Sequence, residues 1–199
     1  MSPTAIPFTF QRTFTGRYWP FLSHRTAPLL RQVTRCRKTF SNRNVRSHKP
    51  MILTTLTDLF IRDLNRVRSE LNLYRHEANI WAVPPGINNS AGNLSLHLVG
   101  NLNTYIGAEL GQTGYIRHRD LEFSRRDVPR TELIQQLDQT IEVIERTLAN
   151  VDPARLADEY PLLVLGEKTS TEYFLVHLAT HLSYHLGQIN YHRRLVEGV

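Results

Sequence analysis

Four histidines recur along one stripe near the end of the chain, in the run His177-Leu-Ala-Thr-His181-Leu-Ser-Tyr-His185-Leu-Gly-Gln-Ile-Asn-Tyr-His192. A helix turns ~100° per residue, so His181, His185 and His192 fall within roughly 20° of Phe174, and His177 within roughly 60°. Phe174, Leu178 and Ile189 share that arc, so the imidazoles point where a core belongs. Burying several of them without partners is unfavourable. A metal ion would remove most of that penalty, because imidazole is a good ligand for several divalent ions.

Histidines at i and i+4 lie one helical turn apart and can clasp one ion. His177 and His185 stand ~12 Å apart along the axis and cannot share it. The pair is therefore 177/181 or 181/185, with His181 common to both. A third ligand must come from another helix, and His76, His97 and His118 are available after residue 50. His118 sits in a charged stretch and His76 at a helix end beside Glu77. His97 borders an inward face, three residues from Leu94 and one from Leu98, and is the best third ligand. Three neutral imidazoles with one open position describe a catalytic centre more than a structural one. Gly187 would let a backbone or ligand approach closely. Tyr184, Gln188 and Asn101 each lie within a turn of a ligand and are expected as supporting or substrate contacts. His177 and His192 are expected in supporting or packing roles.

These side chains need helices to hold them, and the periodicity supplies four. Ile52, Leu56, Leu59, Phe60, Leu64, Val67, Leu71 and Tyr74 recur at three- and four-residue steps, predicting a helix near 51–76. Pro84-Pro85-Gly86 breaks the chain, and Asn88-Asn89-Ser90 offers N-caps for a second helix running to about Gly111. Residues 111–128 are expected to form a polar, charged loop. Pro129 opens a third helix with Leu133, Leu137, Ile141, Ile144 and Leu148 on its apolar face. Residues 150–168 are irregular, with an extended strap at Tyr160–Gly166. Thr169-Ser-Thr-Glu172 reads as a capping box opening the fourth helix, about 170–196. The fold class is therefore all-α, an up-down four-helix bundle.

The net charge of +6 is unevenly spread. Of the 24 Lys and Arg, ten lie in residues 1–50, which hold none of the 18 Asp and Glu; residues 51–199 therefore carry 14 basic and 18 acidic residues, a net −4. Two domains follow: a basic leader, 1–50, and the bundle, 51–199. The leader fits three descriptions. It resembles an organellar transit segment, a basic nucleic-acid arm, or a prefix outside the working protein, since Met51 opens a complete helical pattern. Four prolines before position 30 and no sustained period predict disorder there. The negative bundle argues against nucleic acid as a partner. The single cysteine, Cys36, excludes an intramolecular disulfide, and no apolar run is long enough to span a membrane. A cytoplasmic protein is expected.

The segment His177 to Ile189, with its His-x-x-x-His-x-Gly-Gln ending, resembles the last-helix signature of the DinB-like superfamily. Leu96-His97-Leu98-Val99-Gly100-Asn101 resembles its second-helix counterpart. The resemblance covers about residues 51–197. It implies a bundle holding a divalent ion, zinc or nickel, on His97, His181 and His185, and so selects 181/185 over 177/181. It further implies a thiol-dependent transferase using a low-molecular-weight cofactor thiol on a small-molecule substrate, and a homodimer. The same ligands would serve a metal-dependent hydrolase, or a non-enzymatic metal-binding stress-response bundle.

Overall fold

A computed structural model describes residues 51–199. The expected disorder of residues 1–50 lies outside the described residues. Four long helices are present: α1 Met51–Asn72, α2 Ala91–Leu102, α4 Arg130–Asn150 and α5 Thr171–Glu197, with a short α3, Arg119–Ser124, between the second and third of them. A 3-10 turn, Glu77–Trp81, follows α1, and a π-turn, Asn103–Ala108, continues α2.

Each boundary has a local cause. The Ser90 side chain accepts from the Asn93 N–H and starts α2. Ser170, not Thr169, caps α5, accepting from the Tyr173 N–H at 3.2 Å. The expected cap lies one residue early because the Thr169 carbonyl is engaged by the Tyr160 N–H at 2.9 Å, beside an antiparallel bridge between Glu159 and Ser170. That bridge also pins the 150–168 segment, which is irregular except for a 3-10 turn at Pro153–Ala157. Tyr160 is buried, its hydroxyl donates to the Tyr105 carbonyl at 2.7 Å, and its ring centre lies 4.1 Å from that of Phe174.

The helices form a ring in which α1 packs on α4 and α5, and α2 packs on the same two. This is the expected four-helix bundle. Its sense reverses from α1 to α2 and from α4 to α5, but α2 and α4 run parallel. Asn103, Gly107 and Gly111 meet Thr140, Val143 and Thr147 in rising order on both segments. The long connection after the π-turn carries the chain back to the same end and makes that direction possible. The core is apolar: Leu53, Leu56, Phe60, Leu64, Val67 and Leu71 of α1 face Leu133, Leu137, Ile144 and Leu148 of α4 and Phe174, Leu178, Leu182 and Ile189 of α5. Among the described residues no helix is long and apolar enough to cross a membrane.

His192, on the histidine stripe, has a packing role. Its Nε2 donates to the Ala82 carbonyl at 2.8 Å, which leaves Nδ1 to accept from the Tyr74 hydroxyl at 2.7 Å. Both nitrogens are used, and the ring ties α5 to the chain leaving α1.

Candidate metal centre

α2 is buried on nearly all sides, and its one histidine, His97, is buried with it. α5 runs antiparallel to it and carries His181 and His185 one turn apart. The structure brings His97, His181 and His185 together, with one nitrogen from each within 4.8 Å of the others. His181 Nε2 lies 3.5 Å from His97 Nε2 and 3.0 Å from His185 Nε2. Two nitrogens bound to one tetrahedral zinc at ~2.0–2.1 Å stand about 3.3 Å apart, so the spacing suits a shared ion.

The protonation of the rings points the same way. His97 Nδ1 lies 2.9 Å from Glu122 Oε2. Burial pushes the Glu122 carboxyl up, but hydrogen bonds from His97 and Arg117 outweigh it and hold the group below its ordinary range. An ionised carboxylate only accepts, so His97 carries its proton on Nδ1 and Nε2 is bare. His185 Nδ1 donates to Gln188 Oε1 at 2.7 Å, and the Gln188 amide N–H donates to the Tyr184 hydroxyl at 3.2 Å. His185 Nε2 is therefore bare as well. A single proton on His181 Nε2 could satisfy only one of these two lone pairs. His181 Nδ1 is itself buried without a hydrogen-bond partner among the described residues. A cation between the three rings is the arrangement that leaves no lone pair facing another.

Burial, and then the neighbouring imidazoles of His185 and His97, pull the His181 pKa down to about 4, and burial lowers that of His185. Both rings are neutral at pH 7, the form a metal requires. An unfolded histidine takes up a proton near pH 6.5. Below that pH the unfolded chain binds protons that the metal-free fold refuses until about pH 4. Stability present above pH 6.5 is thus lost as pH falls toward 4. Melting curves of metal-free protein at pH 8, 6.5 and 5 should show that fall, and a flat profile would contradict the buried neutral ring.

Glu122, the partner of His97, is the site residue that sequence reasoning missed. Residues 111–128 are not simply a polar loop, because α3 folds there and turns Glu122 inward to 6% exposure. Asn93 Nδ2 lashes α3 to α2 by donating to the carbonyls of Glu122 at 2.9 Å and Arg125 at 3.0 Å. Arg117 completes the clamp, with Nε donating to Glu122 Oε1 at 2.6 Å and Nη2 to Oε2 at 2.9 Å. The order Arg117–Glu122–His97 fixes the orientation of the His97 ring from outside, as outer partners do for histidines that hold a metal. The only sequence trace of it is Gly100. A Cβ there would lie 2.8 Å from the Glu122 carboxyl carbon and would overlap its oxygen. Gly100→Ala should therefore lower the melting temperature despite the better helix propensity of alanine, and weaken zinc binding by displacing the carboxylate. Unchanged zinc affinity in a folded variant would show that the carboxylate does not set His97.

The other expected contacts divide. His177 stacks between Phe174 and His181, with ring centres 5.8 and 6.1 Å away. Gln188 and Tyr184 form the chain behind His185. Asn101 is buried but makes no hydrogen bond to the three histidines, and its Oδ1 has no partner among the described residues.

Fold and site together define a four-helix bundle with three histidines, from its second and last long helices, that could hold a metal ion. The chain belongs to the family described as protein of unknown function (DUF1572), whose pattern matches residues 60–198. No curated protein matches it. Among solved structures it is similar to a conserved protein from Enterococcus faecalis, at 20% identity and a TM-score of 0.57, over 73% of this chain and 97% of that one. At that identity the likeness carries the fold alone.

Proposed function

We propose that the protein is a divalent-metal-dependent enzyme of the DinB-like type, which transfers a small cofactor thiol to an electrophilic substrate. The observation that carries the metal reading is the pair of bare Nε2 atoms, on His97 and His185, facing His181 Nε2. Zinc or nickel suits three imidazoles. When bound, such an ion supplies a Lewis-acid position that acidifies a thiol or water.

The chain's own residues do the rest. His97, His181 and His185 offer neutral nitrogens. Glu122, held by Arg117, keeps the His97 proton on Nδ1. Gln188 does the same for His185, and Tyr184 holds the Gln188 amide. The transfer itself forms a sulfur–carbon bond as the bond from carbon to its leaving group breaks, with the thiol proton passing to solvent.

The test is an assay of zinc- and nickel-loaded protein with a small thiol and an aryl halide electrophile. Thioether formation that needs both metal and thiol, and disappears in His181→Ala, is the expected result. Thiol-independent ester hydrolysis by the same loaded protein would replace transfer with hydrolysis. Metal uptake without turnover in either assay would leave a metal-binding bundle.

A further inference from the structure

α5 carries a second feature beyond the three histidines. One turn further on, a cleft of about 490 Å³ opens between α5 and the 86–94 segment. That is the size of a small-molecule site. It adjoins the triad through two side chains. Gln188 lines it while accepting from His185 Nδ1, and Tyr184 lines it with its ring centre 5.3 Å from that of His185.

Gly187 lies in its lining, inside α5. A Cβ there would meet nothing within 4 Å among the described residues. Glycine within a helix is less stable than alanine, so the helix itself gains nothing from a bare position here. What gains is the cleft, which has exposed backbone as its floor and Tyr184 and Tyr191 to either side along the helix. Asn88, Asn89 and Gln188 line it as well, the Gln188 carboxamide being bonded to His185 and Tyr184, with Leu94 as an apolar wall. No charged side chain is among the described lining residues, and the His192 nitrogens there are already bonded to Tyr74 and Ala82. A charged ligand group would find no counter-charge.

We propose that this cleft binds the uncharged, planar part of the electrophilic substrate, an aryl amide or a comparable neutral ring, with Gly187 setting its shape. Its place in the reaction rests on the metal-centre reading, whereas its ligand preference is a property of its own lining.

The experiment compares benzamide, benzoate and benzylammonium binding to the full chain by titration NMR. Zinc-free protein is used for the comparison, so that no bound ion attracts the carboxylate, and zinc uptake is titrated in parallel. Benzamide is expected to bind about tenfold more tightly than either charged isostere. Gly187→Leu should abolish that binding while leaving zinc uptake unchanged and the melting temperature equal or higher. Tyr191→Ala, at a position already 63% exposed, should weaken it without unfolding the chain. Benzoate binding as tightly as benzamide, or Gly187→Leu leaving benzamide binding intact, would overturn the proposal. So would a Gly187→Leu effect on sedimentation alone, which would make this face a contact between copies. Benzamide binding of the stated pattern without zinc uptake would keep the cleft and remove the metal reading. Zinc uptake without benzamide binding would do the reverse.

Discussion

His181→Ala should abolish tight binding of a divalent ion without destabilising the metal-free fold. His181 is the nitrogen common to both short contacts in the triad, 3.5 Å from His97 and 3.0 Å from His185. Structural zinc sites bind with roughly 10–16 kcal/mol over four ligands, so one lost ligand amounts to about 3 kcal/mol, or two decades in Kd. A competition titration of zinc against a chromophoric chelator measures this. The stability half of the prediction separates a metal ligand from a packing histidine. His181 has a buried Nδ1 without a partner among the described residues and a strongly lowered pKa, so the ring contributes little to the metal-free fold. Its removal should leave the metal-free melting temperature equal or higher. His192→Ala should do the opposite, because it breaks the bonds to Tyr74 and Ala82 and has no bearing on the ion.

Glu122→Gln should be the most damaging change outside the three histidines. The carboxylate is buried, accepts from Arg117 and His97 together, and leaves Arg117 with a side chain only 14% exposed. Removing its charge strands that guanidinium, a loss of about 3 kcal/mol in comparable buried pairs. Loss of an outer hydrogen-bond partner of a metal-bound histidine typically weakens binding about 10–100-fold. The two effects can be separated. In the double variant Arg117→Met with Glu122→Leu, no buried charge is left over, so thermal stability should largely return. Zinc affinity should stay weakened, because nothing then holds the His97 ring. Full recovery of both would make the clamp a stability element with no part in the centre.

The four long helices were legible because their apolar residues keep the 3.6-residue period, from Leu56 to Leu71 and again from Leu133 to Leu148. The triad was half legible. Spacing alone brought His181 into any pair but left His177 and His185 equal, and the burial of α2 decides nothing between them. The structure separates them through the antiparallel course of α2 and α5, which carries His97 to His185 and leaves His177 stacked on Phe174. Glu122 was hidden for a different reason. Residues 111–128 look like solvated loop because Arg117, Arg119, Asp120, Glu122 and Arg125 are charged in nearly every register. The bonds from Asn93 to the α3 backbone, together with those from His97 and Arg117 to the carboxylate, turn one of those charges inward. The parallel course of α2 and α4 left no mark either, since periodicity reports which face is buried and not which way a helix points.

X-ray absorption at the zinc edge, on purified full-length protein loaded with one equivalent of zinc, tests the centre most directly. Three imidazole nitrogens at ~2.0–2.1 Å, with one further light ligand, are expected, and one of the three should disappear in His97→Ala. A spectrum showing fewer than three imidazoles, or one that His97→Ala leaves unchanged, would contradict the account.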